Sequence, residues 1–457
     1  MSADAAQRPA WSSSVAFYLV TVGASVGLGS IWRFPYLAGT SGGSAFILVF
    51  VAACLLIATP LLVAEFILGR RSRRSPPEAA AVVARESGRT PGWNAIGILG
   101  TVGAFVVMTY YTLIAGWVMA YTWRCANGSL SGLSNAKVTR LWDDFLAQPL
   151  QLGAWHLAFV VLVTCISARG VNRGIELANR VRAPVLLLLM LVLAGYSLAK
   201  GDVARGLSFA FAPNFGAITP SVILAAIGQA FYATGVGMAM MIAYGAYLER
   251  GTSLVRSSLI ISSAILIVSL LATVIVFPLV FRYGMNPSHG VHLVFDVLAS
   301  VFAEMPGGRL VGTLFFLMLV FAALTPSLAG IEPIIAWLVD RHGWSRPRAV
   351  IATTASIWLV GIASMLSFNL LRGWHPLEAV PGFAGRTVFD ASDYLVSNII
   401  LPVGALMTTI FVGWRVMDRV VQDELADSSA FARRAIVISL RYVCPIALAA
   451  VLVANLA

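Results

Sequence analysis

The sequence predicts an all-α polytopic membrane protein built as an inverted repeat around broken helices. Three observations carry this. The 457 residues are 59% hydrophobic and only 11% charged, whereas a soluble domain carries about 25% charged residues. Eleven apolar segments reach the length of roughly 17 residues that a spanning helix needs. Two of them, the first and the sixth, are interrupted mid-membrane by glycines. Interrupted helices in matching positions of two halves point to repeats with a site between them.

The first segment, 12–37, contains Gly23, Gly27 and Gly29, followed by the charged Arg33. Glycine weakens a helix. A free backbone group in lipid costs on the order of several kcal/mol, so a break is tolerated only where protein buries it or it lines a cavity. Segments 2 to 5 follow at 42–69, 93–124, 153–168 and 183–199. Segment 6, 219–248, places Thr234, Gly235 and Gly237 mid-span. It runs opposite to segment 1, so the halves are inverted. Segments 7 to 11 run 254–281, 309–338, 349–370, 392–414 and 435–456.

Placing the N-terminus in the cytoplasm puts most of the 31 Lys and Arg on that side. They include Arg169, Arg173, Arg180 and Arg182, assigned to the loop between segments 4 and 5. This asymmetry predicts N-terminus in and C-terminus out. It also accounts for the net charge of +11 without nucleic-acid binding. Two outer stretches, 127–153 and 286–308, carry a possible amphipathic turn at Leu141–Phe145 and an expected helix at Val291–Phe302. A solvated loop and an outer lid both remain open readings. The four cysteines lack metal spacing. Met1–Ala10 is short and polar, with no expected signal peptide.

The runs GASVGLGSIWRFPYLAGTSGGSAF, PLLVAEFILGR, GQAFYATGVGM and FAALTPSLAGIEP resemble the neurotransmitter:sodium symporter family in its bacterial eleven-helix form. The resemblance covers about residues 8–456. It implies a cytoplasmic segment 1–11, five-helix repeats over 12–199 and 219–414, and an eleventh helix at 435–456. The implied activity is sodium-coupled uptake of amino acids or related molecules across the plasma (inner) membrane.

Half-helix N-termini attract anions, so a substrate carboxylate is expected at Gly27, Leu28 and Gly29. The resemblance adds the hydroxyl of Tyr111, which would otherwise read as packing. Where amine-carrying members have aspartate, this chain has Gly27, which leaves the negative charge to the substrate. The implied side-chain pocket is Ser25, Val107, Tyr232, Gly235, Met238, Pro326 and Gly330. It holds no countercharge, so a neutral, hydrophobic amino acid is expected. Gly235 and Gly330 allow either a roomy pocket or close helix packing.

The ion sites depart from the family pattern. The first sodium site would use Ser25 backbone and side chains at Ser30, Ala233 and Ile265, of which two lack oxygen; its loss is expected. The second retains carbonyls of Gly23, Val26 and Ala322 and the Thr325 hydroxyl. One sodium ion is therefore the expected coupling ion. Pro326 replaces a serine there. Lacking an N–H, it either frees the Ala322 carbonyl for a cation or merely kinks the helix and ends sodium coupling. Chloride positions correspond to Phe50, Gln229, Ala233 and Ser269, and no chloride requirement is expected. Glu65 and Glu332 read as interhelical contacts first and as proton carriers second.

The resemblance implies an outer gate of Arg33 and Asp393 with Tyr232 as lid. The inner gate is Arg8 and Asp340, with Trp11 and Tyr247 beside them. The expectation is a symporter of neutral amino acids; a proton-coupled transporter and a substrate sensor remain alternatives. No metal-ligand spacing, phosphate loop or nucleophile–base pair suggests an enzyme. The expected partners are the amino acid and the lipid bilayer.

Overall fold

The computed structural model describes residues 11–287 and 293–456. Nine helices among them are long and apolar enough to cross a membrane, and ten when one bent pair counts as a span. That pair is α1 (Ser14–Ser25) and α2 (Gly29–Thr40), bent by 52° across Val26–Leu28. The first repeat continues with α3 (Ser44–Ser72), α4 (Pro91–Ala126), α5 (Pro149–Ala168) and α6 (Val171–Lys200). The second opens with another broken span, α7 (Pro220–Thr234) and α8 (Met240–Gly245). It continues with α9 (Leu254–Arg282), α10 (Gly308–His342), α11 (Arg346–Leu366) and α12 (Val388–Arg415), and α13 (Ala430–Asn455) follows.

Both breaks fall where the glycines are. α1 ends as Val26 leaves helical space at φ −87° and ψ 88°. α7 ends at Gly235 with φ +68°, a left-handed conformation open to glycine without penalty. Gly237 at φ +85° and Ala239 at φ +56° complete the unwound stretch. Alanine rarely adopts a positive φ. The surrounding packing holds it there, since Ala239 is buried against neighbouring spans.

The largest departure from the sequence reading is α6. It begins at Val171, twelve positions before the apolar segment that marked it. Its first half is rich in polar side chains, and Glu176, Asn179 and Arg182 point inward and are buried. Arg182 is therefore a residue of the bundle interior, not of a cytoplasmic loop.

The outer stretches fold into helices. Asn135–Leu146 buries Val138, Trp142 and Phe145. The expected helix at 291–302 is helical from Leu293 through Glu304, and its first two positions lie outside the described residues. Trp142 stacks on Phe295 at 4.9 Å, and Trp117 meets Trp142 edge-on at 5.3 Å. Such pairs add to the burial term and tie both stretches down as a cover over α4.

Candidate functional site

The two breaks face each other. The Ser25 hydroxyl donates to the Thr234 carbonyl at 3.5 Å, and the Gln229 amide donates to the Gly29 carbonyl at 2.7 Å. From α4, the Tyr111 hydroxyl accepts from the Leu28 amide at 3.3 Å. Tyr111 therefore sits where the resemblance implied, on the N-terminal side of α2. Gly27 leaves no room for a side chain, because a β-carbon there would lie 2.5 Å from Pro326 Cγ and 2.9 Å from the Tyr111 hydroxyl. The Tyr232 ring lies against Gly29, where an added β-carbon would be 2.9 Å from Cδ1.

Ser25, Gly27, Gly29, Val107, Tyr111, Tyr232, Gly235, Met238 and Pro326 all line one cavity. In this conformation it measures about 30 Å³, roughly the space of a water or two and too little for an amino acid. Two methionines that sequence reasoning missed account for this. Met240 folds its methyl over Gly235, and the Met108 sulfur lies 2.8 Å from where a Gly330 β-carbon would be. Gly330 thus gives its space to Met108 and does not open the cavity. Methionine is flexible and fills irregular gaps, so the pocket's size is set by side chains that can turn.

The positions expected of a first sodium site offer few oxygens. Ala233 and Ile265 bring no side-chain oxygen, and the buried Ser30 hydroxyl has no hydrogen-bond partner. The second site keeps its oxygens but has gained a neighbour. Thr325 donates to Asn179 Oδ1 at 3.0 Å, and Arg182 Nη1 donates to the Phe321 carbonyl at 2.8 Å. A β-carbon at Gly23 would lie 2.5 Å from Arg182 Nη2 and 2.6 Å from Asn179 Oδ1. A guanidinium therefore stands between Gly23 on α1 and the Phe321–Thr325 turn of α10. Like unit charges about 4 Å apart repel by about 4 kcal/mol at an effective dielectric of ~20. The guanidinium thus stands among Gly23 and Thr325, two of the four residues expected at the second site, beside the Phe321 carbonyl. The carbonyl that Arg182 engages is that of Phe321, one residue before Ala322.

The residues expected to form gates are partly brought together. Arg33 lies over the Tyr232 ring at 4.2 Å, while Asp393 accepts from Tyr110 at 3.0 Å and Ser397 at 3.2 Å. The expected Arg33–Asp393 ion pair is thus not formed; an aromatic ring and two hydroxyls take the partners' places. On the inner side, Trp11 is buried and meets Tyr244 and Tyr247 edge-on at 5.5 and 5.7 Å. Asp340 accepts from the Ser75 amide at 2.8 Å, and Arg8 lies outside the described residues.

The two carboxylates weighed as proton carriers, Glu65 and Glu332, have structural partners. Glu65 accepts from the Gly237 amide at 2.6 Å and so caps the unwound stretch between α7 and α8. Glu332 takes both Arg346 Nη atoms at 2.8 Å, with the Tyr247 hydroxyl at 2.8 Å. Near the expected chloride positions, Gln229 Oε1 and Ser269 Oγ are buried without hydrogen-bond partners.

The comparisons agree with this geometry. The model of the sodium:neurotransmitter symporter family matches residues 8–143 and 146–457. The uncharacterized sodium-dependent transporter YhdH of Bacillus subtilis (strain 168) is 36% identical over 424 residues, covering 93% of this chain and 92% of its own. The human sodium-dependent neutral amino acid transporter SLC6A17 is 28% identical over 308 residues, covering 61% of this chain and 41% of its own. The crystal structure of MhsT in complex with L-phenylalanine superposes with a TM-score of 0.88 at 34% identity, covering 98% of this chain and 100% of that one. A family match over nearly the whole chain, joined to two facing helix breaks with a tyrosine aimed at the first, shows that this chain is a membrane transporter belonging to the sodium:neurotransmitter symporter family.

Proposed function

We propose that the protein is a secondary active transporter of neutral, hydrophobic amino acids that works by alternating access. One observation carries the reading: the Tyr111 hydroxyl, which lines a cavity with no charged side chain, meets the Leu28 amide at 3.3 Å. A carboxylate inserted there would accept from both groups, and a charged substrate side chain would find no partner. Gly27 offers no anion for an amine. Met108, Met238 and Met240 would yield to side chains of different shape. The family relatives named for neutral amino acids, and the MhsT complex with L-phenylalanine, support the same substrate class.

Access follows from the two ends. The inner end is closed by Trp11 against Tyr244 and Tyr247. At the outer end, a cavity of about 520 Å³ among Trp32, Trp117, Trp142 and Phe295 would serve as the vestibule. We place the chain in the plasma (inner) membrane with the N-terminus in the cytoplasm and the C-terminus outside, from its basic-residue asymmetry.

Competition binding tests the substrate class. L-leucine and L-phenylalanine should displace each other, whereas isoamylamine and phenethylamine should not. Equal competition by the amines would sink the reading, and so would thermal stabilisation by glycine and alanine alone. Concentrative uptake in proteoliposomes then separates transport from mere binding.

A further inference from the structure

Arg182 is the least expected charge in the molecule. It is buried at 3% exposure in the middle of a transporter bundle. It has no ion pair among the described residues, and its Nε has no hydrogen-bond partner. Intramembrane charges are rare, and they pair with one another or with backbone carbonyls. Arg182 takes the second course, through the Phe321 carbonyl.

The position of this guanidinium gives it a use. Nη1 reaches α10 at Phe321, and Nη2 lies against Gly23 of α1, so one side chain of α6 bridges the two elements that a cation at the second site would join. Gly23 permits the approach, since any β-carbon there would collide with the guanidinium. Asn179, one turn earlier on α6, occupies the Thr325 hydroxyl. The bridge is thus built from α6 by two residues on one helix face, i and i+3.

We propose that Arg182 is the resident cation of the second site and replaces sodium there. Arginine stays protonated throughout the accessible pH range, so the charge is permanent. The contact between α1 and α10 then needs no ion from solution. With the first site also stripped of oxygens, substrate binding and the stability of this state should not depend on sodium. The chain would keep the family's cation bridge while losing the family's means of varying it.

Sodium titration of the purified full-length protein tests this, with thermal stability as the readout and potassium or choline holding ionic strength constant. The measurement needs no substrate, so it succeeds or fails independently of the amino-acid reading. Wild type should show no sodium-specific shift. Arg182→Ala should gain a saturable one with a Hill slope near one, on the order of several °C once sodium far exceeds its Kd. Arg182→Lys, which keeps a cation on the same stem, should remain unresponsive. A saturable sodium-over-potassium stabilisation of the wild type would overturn the proposal, as would a folded Arg182→Ala variant that ignores sodium. If that variant does not fold, the wild-type and Arg182→Lys titrations decide alone.

Discussion

The two expected cation positions beside the helix breaks differ in opposite ways from an oxygen-lined site. At the first, oxygen has been removed: Ala233 and Ile265 stand where ligands would be, and the Ser30 hydroxyl is left buried without a partner. At the second, the oxygens of Gly23, Val26, Ala322 and Thr325 remain, and a charge has been added beside them by Arg182. The difference is physical. Subtraction leaves a neutral cavity wall that costs little beyond one lost hydrogen bond. Addition places a permanent charge in the bundle, which requires carbonyl partners and a glycine opposite to admit it. A first-site defect should therefore be repaired by restoring ligands, a second-site one only by removing the guanidinium.

Four variants test that contrast, taken from the strongest effect to the weakest. Gly27→Asp should weaken amino-acid binding by more than about 100-fold, roughly 3 kcal/mol, because the side chain would meet Pro326 and Tyr111 at once and face the substrate carboxylate. Binding kept within about tenfold would mean that the break relaxes more than its packing implies. Gly23→Ala should destabilise the protein by about 1–3 kcal/mol through overpacking against Arg182. Part of that cost should vanish in an Arg182→Ala background, because residues in contact are non-additive. Strict additivity in the denaturation midpoints would separate Gly23 from the guanidinium.

The combined Ser30→Asn, Ala233→Thr and Ile265→Asn variant, with Arg182 left in place, should make substrate affinity respond to sodium by about tenfold, or 1.4 kcal/mol. No response in a folded, substrate-binding variant would show that more than missing oxygens closed the first site. Pro326→Ser should change sodium response within about twofold, since Arg182 still holds the Phe321 turn. A large gain would make the proline, and not the arginine, the residue that excludes sodium.

Much of this architecture was legible in the chain. Glycine clusters in otherwise apolar segments located both breaks to within a few residues, because lipid allows unwound backbone almost nowhere else. Gly27 opposite Tyr111 was readable too, since the family motif fixes residues adjacent in sequence. Three features were not. The methionines that fill the cavity come from α4 and α8, and their directions depend on rotamers. The outer pair Arg33 and Asp393 stay apart because Tyr232, Tyr110 and Ser397 compete for them. Arg182 was misplaced because apolarity marks the lipid-facing part of a helix, and α6 begins with a polar, inward-facing half. Extending that helix backwards would have put Glu176, Asn179 and Arg182 on neighbouring turns, a pattern unlike a solvated loop.

The sequence by itself determined the spans, the breaks, the family and the neutral character of the pocket, because each depends on residue type or on spacing along one segment. Only the tertiary structure decided what stands at the second cation position. That outcome depends on three separate spans meeting, with Arg182 on α6, Gly23 on α1 and Phe321 on α10. No local pattern records such a meeting. It is fixed by packing, where a missing β-carbon on one helix leaves room for a guanidinium from another.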